Sequence, residues 1–403
     1  MRIGIYNEPS GGGIGGSEYV VSVLAHALTQ RHHVDVIHHN RRLTVDQLAD
    51  FSGLDLGRVR LRFVGRQDRP DLSSPSGLRN IVRRYQAQAR WQEDLSRPYD
   101  VFIASIHNLP PFCHARTGVM LTLFPFPDRM SLWPWVDDGI FGDRSIKQRI
   151  RRNYYDWLWR KRFDSYQQKL CNSEYTRKWT RAWWGIESDV LYPAVDTRFE
   201  PIPKVNLVLS VGRFSTRSHS KRQVEMMSVF RDMKGTSLQH WSYHSVGGLV
   251  DDPVDHAYFD EVKRVAVTCD AHAIPNVPRG ELRSLFARAK VFWHAAGYGG
   301  DDGNPYQAEH FGISTVEAMA AGAVPIVYDK GGQSEIVEHG RSGYLWRSLD
   351  ELREYTRRLA QSETLREQMA ASARRRAEHF SREAFLARFV RLVPMESTLV
   401  GHS

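Results

Sequence analysis

Two glutamates in one short stretch have side chains suited to binding a hydroxylated ligand. Glu309 and Glu317 flank an apolar run in the sequence AEHFGISTVEAMAAGAVPIVYDKGG. On a continuous helix of 3.6 residues per turn, this spacing would set the two side chains about 80° apart and more than two turns distant. The pattern instead predicts a helix capped by Ser314 or Thr315, with Glu317 in its first turn and Glu309 in the loop before it.

The predicted helix start is a place where an anion can bind. Free backbone N–H groups and the helix dipole favour a phosphate there. A carboxylate beside a phosphate must have another task, and carboxylates accept hydrogen bonds strongly from the hydroxyls of a ribose or a sugar ring. The alternative is that Glu317 only complements the helix dipole and that Glu309 is solvated.

Two cations occupy positions from which they could neutralise a diphosphate. Arg213 follows the buried strand of NLVLSVGRF, and Lys221 stands at the predicted start of the next helix. Both side chains are expected at the carboxyl end of that strand, where fixed positive charge stabilises a departing diphosphate without a metal ion. Because solvated arginines and lysines are common, either residue alone also fits an ordinary surface position.

The first half of the chain offers a glycine loop and a histidine. RIGIYNE, PSGGGIGG and a helix from about Ser17 predict a strand, loop and helix, in which Gly15 and Gly16 allow close approach to a diphosphate. A flexible turn would look similar. His107 follows the buried strand YDVFIAS, where it could orient or deprotonate an acceptor hydroxyl or have a structural role. The sequence has no HExxH or CxxC pattern, so no protein-bound metal is expected.

The composition predicts a soluble protein of two domains. The chain has 403 residues, of which 41% are hydrophobic and 25% charged, and this length exceeds what one core usually holds. No apolar run is long enough to span a bilayer, and MRIGIYNEPSGGG lacks the apolar core of a signal peptide. Cys113, Cys171 and Cys269 are widely separated, which suits a reducing compartment. We therefore expect a cytoplasmic protein, or one peripheral on the inner face of the membrane.

The net charge of +9 indicates attraction to polyanions. Residues 144–163, RSIKQRIRRNYYDWLWRKRF, interleave basic and aromatic side chains around a stripe of Ile146, Ile150, Tyr154 and Leu158. This pattern is typical of an amphipathic helix at an anionic membrane interface, and equally of a packed domain helix with a solvated basic face. Nucleic acid is not expected as a partner, because no recognisable binding module accompanies the basic patch.

The order of elements predicts an α/β fold with two doubly wound parallel sheets facing across a cleft. An N-terminal domain over residues 1–195 is expected to contain the strands RIGIYNE, HVDVIHH, VRLRFVG, YDVFIAS and GVMLTLF. LYPAVDTRFEPIPK reads as a linker. A second domain over 203–375 is expected to contain NLVLSVGRF, SLQHWSYHSV, VKRVAVTC, AKVFWHAA, AVPIVYD and SGYLW. The remaining 376–403 are predicted to be helical and to pack back toward the N-terminal domain.

These motifs resemble, in the right order, those of the family 4 glycosyltransferases, retaining enzymes of the two-domain fold called GT-B. EHFGISTVE resembles that family's motif of two glutamates with seven residues between them. The segments GGGIGG, VGRF with Lys221, CNSEYTRKW, LYPAVD and DKGGQSEIVEHGRSGYLW resemble its other landmarks. Within the family, RRNYYDWLWRKR and NVPRGELRSLFARAKVFWHAA are similar to the α-1,2-mannosyltransferases that elongate dolichol-linked oligosaccharide from GDP-mannose.

The resemblance implies a role for each candidate residue. The donor would be a GDP- or UDP-sugar, the acceptor a glycan or lipid-linked sugar, and no tightly bound cofactor would be needed. Glu317 would hold the ribose hydroxyls, Glu309 would lie against the donor sugar, and Gly15 or Gly16 would approach the phosphates from the other domain. The remaining donor contacts would come from the side chains of Arg213 and Lys221 and the backbone of Phe311, Gly312, Ile313 and Ser314.

One departure from the family pattern concerns the acceptor side. Many members carry a histidine after the strand corresponding to GVMLTLF, where this chain reads Phe124-Pro125-Phe126-Pro127-Asp128. His107 or Asp128 would have to compensate. In a retaining transfer of this type the leaving phosphate is thought to help deprotonate the acceptor, so a protein nucleophile is not required.

Other functions remain open at the level of sequence. A nucleotide-sugar epimerase on the same fold would form product without an acceptor. A hydrolase would need the carboxyl groups of Glu309 and Glu317 across one bond, which their expected split between sugar and ribose disfavours. A non-catalytic sugar-nucleotide sensor or membrane scaffold is the alternative from a different class.

The basic and aromatic segment 144–163 generates a prediction about membranes. If it lies at a bilayer surface, the fraction of protein that cosediments with liposomes should rise with anionic lipid content and fall with added salt, because salt screens the attraction. Replacing Arg151 and Arg152 with Gln should weaken this binding. Equal cosedimentation with neutral and anionic liposomes would favour the packed-helix interpretation.

Overall fold

The computed structural model describes residues 1–8, 14–65, 89–125, 153, 157–216, 220–301 and 303–394. The chain forms two compact units. The N-terminal unit comprises Met1–Tyr192 and the chain from Leu386 onward, and the C-terminal unit comprises Pro193–Phe385.

The N-terminal unit contains a seven-stranded parallel sheet with strand order β3-β2-β1-β4-β5-β6-β7. Its strands are β1 (Arg2–Asn7), β2 (His33–His38), β3 (Arg60–Phe63), β4 (Val101–Ile106), β5 (Thr117–Thr122), β6 (Gln168–Cys171) and β7 (Asp189–Val190). Its helices include α1 (Gly16–Thr29), α2 (Val45–Ser52), α3 (89–96), α4 (157–164) and α5 (Glu174–Trp184).

Apolar sequence runs explain why these strands lie inside the sheet. All six residues of β4 are buried, as expected for a strand covered on both faces of a parallel sheet. Aromatic side chains from the sheet and the helices fill the adjacent core, which includes Tyr6, Tyr99, Phe102, Trp159, Phe163 and Trp184. The helix α5 is capped by Ser173, whose hydroxyl accepts a hydrogen bond from the Thr176 N–H, and it ends at Gly185 in the left-handed conformation.

A buried glutamate joins the carboxyl ends of β1 and β4. Glu8 is 2% exposed, and its carboxylate accepts hydrogen bonds from the backbone N–H groups of His107 (3.1 Å) and Asn108 (2.9 Å). The Asn108 side-chain amide donates a third hydrogen bond at 3.2 Å. The strand order reverses between these two strands, so Glu8 fixes the backbone beside the place where this fold binds ligands.

The C-terminal unit repeats the arrangement with a six-stranded parallel sheet of order β10-β9-β8-β11-β12-β13. Its strands are β8 (Val205–Val211), β9 (Ser242–Gly247), β10 (Ala271–Pro275), β11 (Ala289–His294), β12 (Val324–Tyr328) and β13 (Tyr344–Trp346). Its helices include α6 (Gln223–Lys234), α7 (Pro253–Ala266), α8 (Arg279–Arg288), α9 (Ile313–Ala320), α10 (Gln333–Ile336), α11 (Leu349–Gln361) and α12 (Glu363–Ala377). Short 3₁₀ turns form at Pro305–Gln307 and Glu378–Phe380, and α13 (Arg382–Leu392) follows the second.

Both sheets confirm the predicted doubly wound α/β fold. In each sheet the first and fourth strands of the unit lie side by side. The second and third strands extend the sheet on one side, the later strands extend it on the other, and every strand pair is parallel. Aromatic and aliphatic side chains fill the core of the C-terminal unit, where Trp293 of β11 packs against Phe230 and Tyr243. No helix within the described part of the chain combines the length and the apolar character that a bilayer span requires.

The prediction of a strand at VKRVAVTC, residues 262–269, is wrong. Most of this segment is the last part of α7, which begins with an Asp252 cap and Pro253 at its first position. Tyr258, Phe259 and Val262 lie on the buried face of that helix. The β-branched valines suggested a strand, but the start signal upstream and the helical spacing of the buried residues decide the structure. The strand β10 comes later, in a stretch with little alternation.

The segment predicted to be a linker is tied to the C-terminal unit. The carboxylate of Asp196 accepts a hydrogen bond from Arg283 at 2.7 Å and lies 3.3 Å from the Arg382 guanidinium. Val195 also forms an isolated bridge with Ser381. The prolines around this segment therefore belong to an ordered connection and not to a flexible one.

Candidate active site

The candidate site of the C-terminal unit lies where its strand order reverses, between β8 and β11. Ligands of open parallel sheets bind beyond the carboxyl ends of the strands at this switch point. Lys221 follows β8, and the loop that contains Glu309 follows β11. The topology therefore brings together two residues that are 88 positions apart in the sequence.

Lys221 and Glu309 form an ion pair. The Lys221 ammonium contacts the Glu309 carboxylate, and the two side chains are only 17% and 19% exposed. An ion pair withdrawn this far from water is screened less than a surface pair. A ligand that reaches it meets one cation and one anion already held side by side.

A buried histidine is the second partner of Glu309. The Nε2 atom of His294 lies 2.9 Å from Glu309 Oε2, and the His294 side chain is 2% exposed. Burial lowers the pKa of His294 below its ordinary 6.5, the hydrogen bond to Glu309 acts in the opposite direction, and the Lys221 charge lowers it further. The imidazole is therefore neutral near pH 7, with Nε2–H donating to the carboxylate.

Gln333 completes this group from the start of α10. Its side-chain amide nitrogen lies 3.4 Å from His294 Nδ1 and donates a weak hydrogen bond to it. The glutamine is fully buried, and its Oε1 atom has no hydrogen-bond partner among the described residues. We call Lys221, Glu309, His294 and Gln333 the switch-point cluster.

Glu317 has a different environment from Glu309. It is 5% exposed, and its carboxylate accepts a hydrogen bond of 2.9 Å from the Arg279 guanidinium at the start of α8. Burial raises the pKa of Glu317 above the ordinary 4.5, and Arg279 partly opposes this rise. The Arg279 guanidinium thus compensates the negative charge of a carboxylate that is otherwise removed from water.

The helix between the two glutamates begins earlier than predicted. Its N-cap is Gly312, at φ +126°, and Ile313 is its first residue, so neither Ser314 nor Thr315 is the cap. Glu317 consequently lies in the second turn and not in the first. A Cβ atom on residue 312 would lie 2.6 Å from the Gln333 amide nitrogen, so the close approach of α10 as well as the backbone angle requires glycine.

The glycines of DKGGQSE allow this loop to pack on the segment around Glu309. The Gly332 N–H donates a hydrogen bond of 2.8 Å to the Glu309 carbonyl, and Gly331 has φ +72°. Phe311 is buried, whereas Ile313 and Ser314 are partly exposed at the start of α9. The first N–H groups of α9 carry no side-chain cap from Gly312, which leaves them suited to an anion.

Arg213 stands apart from the switch-point cluster. Its side chain is exposed, and its carbonyl accepts a hydrogen bond of 3.0 Å from Gln223. It follows Gly212, over which the Lys221 side chain passes, so the two cations start from neighbouring backbone. A cavity of about 330 Å³ is lined by residues on both sides of Lys221, by Tyr258 of α7 and by the loop before Glu309. The lining residues are Thr216, Ser220, Arg222, Glu225, Tyr258, Gly297, Asn304 and Gln307.

The remaining predicted residues belong to the N-terminal unit. Gly15 donates its N–H to the Glu18 carboxylate at 2.8 Å, and Gly16 begins α1. His107 follows β4 and is held through its backbone by Glu8. The glycines 11–13, Asp128 and residues 144–152 and 154–156 of the basic segment lie outside the described residues.

Sequence reasoning missed three residues of this site. His294 ends a buried strand in AKVFWHAA, and the rule that selected His107 would have selected it too. Arg279 and Gln333 gave no comparable signal, because each is recognised only by the distant side chain that it contacts. In the part of the chain that the structure describes, no three His, Cys, Asp or Glu side chains are grouped to hold a metal ion.

The raised pKa of Glu317 predicts a stability effect. A carboxyl whose pKa is higher in the folded chain destabilises the fold above that pKa, and the penalty disappears as the pH falls through it. Glu317→Gln should therefore melt no lower than the wild type at about pH 7.5, and its relative advantage should shrink towards about pH 5.

The measurement is the melting temperature by calorimetry across this pH range, without ligand. Glu281→Gln removes an exposed carboxylate of α8 and serves as the control, which should show no such trend. A variant of Glu317 that loses stability mainly at the higher pH would mean that its charge is net stabilising.

Two family models match consecutive parts of the chain. The model described as Glycosyltransferase Family 4 matches residues 14–199. The model described as Glycosyl transferases group 1 matches residues 196–376. Together they span residues 14–376, which include the whole switch-point cluster and every strand of both sheets except β1.

A curated relative supports the same assignment. The chain is 24% identical over 244 residues to the GDP-Man:Man(3)GlcNAc(2)-PP-Dol alpha-1,2-mannosyltransferase of Dictyostelium discoideum. The match includes 56% of this chain and only 46% of that protein, so the chain spans about half the length of this relative.

Solved structures share the fold over nearly the whole chain. A sucrose-phosphate synthase from Thermosynechococcus elongatus has a TM-score of 0.65 at 13% identity, and the match covers 97% of this chain and 98% of that one. Anabaena Alr3699/HepE, solved with UDP-glucose, has a TM-score of 0.62 at 14% identity, with coverages of 96% and 98%. The chain belongs to the GT-B glycosyltransferases of the family 4 type.

Proposed function

We propose that this protein transfers a hexose from a nucleotide diphosphate sugar to a sugar or lipid-linked acceptor, with retention of configuration at the transferred carbon. The observation that carries the proposal is the Lys221–Glu309 ion pair beside the uncapped start of α9. The cation after β8 then contacts the loop that carries a hydroxyl acceptor, Glu309, and leads into an anion-binding helix start, all within the unit that the group 1 model matches.

Positively charged side chains and backbone amides would bind the phosphates of the donor. Lys221 and Arg213 follow β8, and the first amides of α9 follow Gly312. As the bond between sugar and diphosphate breaks, negative charge grows on the leaving phosphate, and fixed cations and amides stabilise it without reorganising. Electrostatic stabilisation of the leaving group is the main contribution that this proposal requires.

The two carboxylates recognise hydroxyl groups at opposite ends of the donor. Glu309 is partly exposed and would accept hydrogen bonds from the sugar, whereas Glu317 would accept them from the ribose. Glu309 is already engaged by Lys221 and His294, which makes it a poor nucleophile and supports a transfer in which the leaving phosphate deprotonates the acceptor on the same face. His107, or Asp128, would orient the acceptor.

The donor base and sugar are proposed from the relatives. The Dictyostelium protein is named as a GDP-mannose-dependent mannosyltransferase acting on a dolichol-linked acceptor, which favours mannose and a lipid-linked acceptor. The Anabaena structure contains UDP-glucose, which keeps UDP-sugars among the candidates. A lipid-linked acceptor would place the protein at a membrane surface, in agreement with the basic segment 144–163.

Removing either cation should slow the chemical step. Lys221→Ala and Arg213→Ala should each lower kcat by about a hundredfold or more, because both act chiefly on the charge that develops in the transition state. The measurement is the rate of nucleotide release from the donor sugar nucleotide. Lys263→Ala removes an exposed cation of α7 and should leave the rate unchanged. Wild-type turnover in both site variants would remove these residues from the site.

A screen of nucleotides tests the function as a whole. UDP, GDP, ADP and dTDP should be compared by thermal shift, since a diphosphate at a hundredfold excess over its Kd stabilises the folded state by about 2.7 kcal/mol. The matching sugar nucleotide should then release its nucleotide slowly in the absence of acceptor. Stabilisation by a nucleotide without any turnover of its sugar derivatives would favour a sensor over an enzyme, and no stabilisation at all would contradict the donor site.

A further inference from the structure

A polar cavity forms around the segment that carries Lys221. Its volume of about 330 Å³ is at the lower end of the range of small-molecule sites, about 300–1,000 Å³. Its walls come from the start of α6, from α7 and from the loop before Glu309. A cavity at this limit accommodates a group of the size of one sugar ring and not a whole sugar nucleotide.

The charged side chains of the wall form a loose pair. One nitrogen of the Arg222 guanidinium lies 3.3 Å from one oxygen of Glu225, and the two side chains are 30% and 33% exposed. Neither side chain forms another hydrogen bond or ion pair within the described part of the chain. The guanidinium therefore keeps further N–H donors for a ligand, and the carboxylate keeps its second oxygen. Because the two charges balance, the pair suits a neutral ligand better than a phosphate.

Two side-chain amides of the wall add hydrogen-bond donors. The Asn304 oxygen accepts a hydrogen bond from the Tyr306 N–H at 3.2 Å, and the Gln307 oxygen accepts one from the Asp301 N–H at 3.0 Å. These bonds hold both side chains, and their NH₂ groups donate to no other described residue. Together with the charged pair they match the hydroxyls of a sugar ring, each of which can donate and accept.

The cavity adjoins the place where the proposed function expects the diphosphate. Ser220 and Arg222 line it and are the sequence neighbours of Lys221. The Lys221 side chain contacts Glu309, whereas the next side chain, that of Arg222, turns to Glu225. In a sugar nucleotide the hexose is bonded directly to the second phosphate. A phosphate on Lys221 therefore brings the hexose to this wall.

The wall is fixed at the first residue of α6. The Tyr258 hydroxyl accepts a hydrogen bond of 3.0 Å from the Gln223 N–H and donates one of 2.9 Å to the Gln223 side-chain oxygen. Arg222, just before it, has the left-handed conformation with φ +54°. This conformation is costly for a residue other than glycine, and such strain is concentrated at ligand and active sites.

Resting on the proposed function, we propose that the hexose of the donor occupies this cavity. Selection of a neutral hexose comes from four lining side chains, namely Arg222, Glu225, Asn304 and Gln307. The carboxylate of a uronic acid would meet that of Glu225, which already engages the guanidinium, and the two would repel each other. Because the four side chains act on the sugar and not on the nucleotide, their effect is a difference between the affinities for the two.

The experiment is isothermal titration calorimetry of the full chain with each nucleotide, with and without its sugar: GDP and GDP-mannose, UDP and UDP-glucose. Glu225→Gln and Arg222→Gln each remove one charge of the pair. Asn304→Asp and Gln307→Glu keep the oxygen that binds the backbone and remove the NH₂ donors. Each substitution should weaken binding of the sugar nucleotide by about tenfold, the effect of one lost hydrogen bond to a charged or fixed group, and leave the Kd of the nucleoside diphosphate unchanged.

A donor with a charged sugar gives a second measurement. In Glu225→Gln the Arg222 guanidinium is free to pair with a carboxylate of the ligand. UDP-glucuronic acid or GDP-mannuronic acid, whichever carries the base that the chain binds, should therefore bind more tightly to this variant than to the wild type. Arg231→Gln makes the same change as Arg222→Gln at an exposed position of the same helix, and it should leave all these affinities unchanged.

The outcomes separate this inference from the proposed function. A wild type that binds neither the nucleotides nor their sugar derivatives would contradict the function and the inference together. Variants that bind the sugar nucleotides as the wild type does, or that lose the nucleoside diphosphate to the same extent, would overturn the inference. Turnover of the donor by the wild type would in that case leave the function intact.

Discussion

The contact between Lys221 and Glu309 is the interaction on which the rest of the C-terminal unit's site depends. It joins the segments that follow the two strands where the order of the second sheet reverses. His294 and Gln333 extend the contact into the core, and the glycines of DKGGQSE let the loop before α10 approach closely enough to do so. The ion pair therefore links two segments of the unit and also holds one cation and one anion in contact at the site.

Two glutamates of one short motif are given different properties by their surroundings. Glu309 lies at the edge of the site with a cation and an imidazole, and its charge can be shared. Glu317 lies inside α9, almost without exposure, and depends on a single guanidinium. The first environment suits recognition of a group that changes during a reaction, and the second suits a rigid contact with a part of the ligand that does not change.

Sequence patterns predicted most strands of both sheets and selected Lys221 and Glu309, which the fold brings into contact, because these features are encoded locally. Buried strands are apolar runs, and Lys221, Glu309 and Glu317 occupy motif positions that can be read one after another. Arg279 and Gln333 could not be predicted, since their importance comes from side chains that only folding brings near. The same limit explains the wrong strand predicted at residues 262–269, where β-branched residues outweighed a helix start ten positions upstream. It also explains the misplaced cap of α9, where a glycine needed for packing occupies the cap position and the serine that propensity favours does not.

The short helix α9 keeps Glu309 and Glu317 at a fixed separation. Gly312 sets its first turn against α10, and Glu317 meets Arg279 one turn later. Inserting or deleting one residue between them would turn Glu317 by about 100° around the helix axis, away from its partner. Evolution or engineering can thus vary the side chains of this segment, but it can change the separation of Glu309 and Glu317 only by rebuilding the helix together with the loop that carries Gln333.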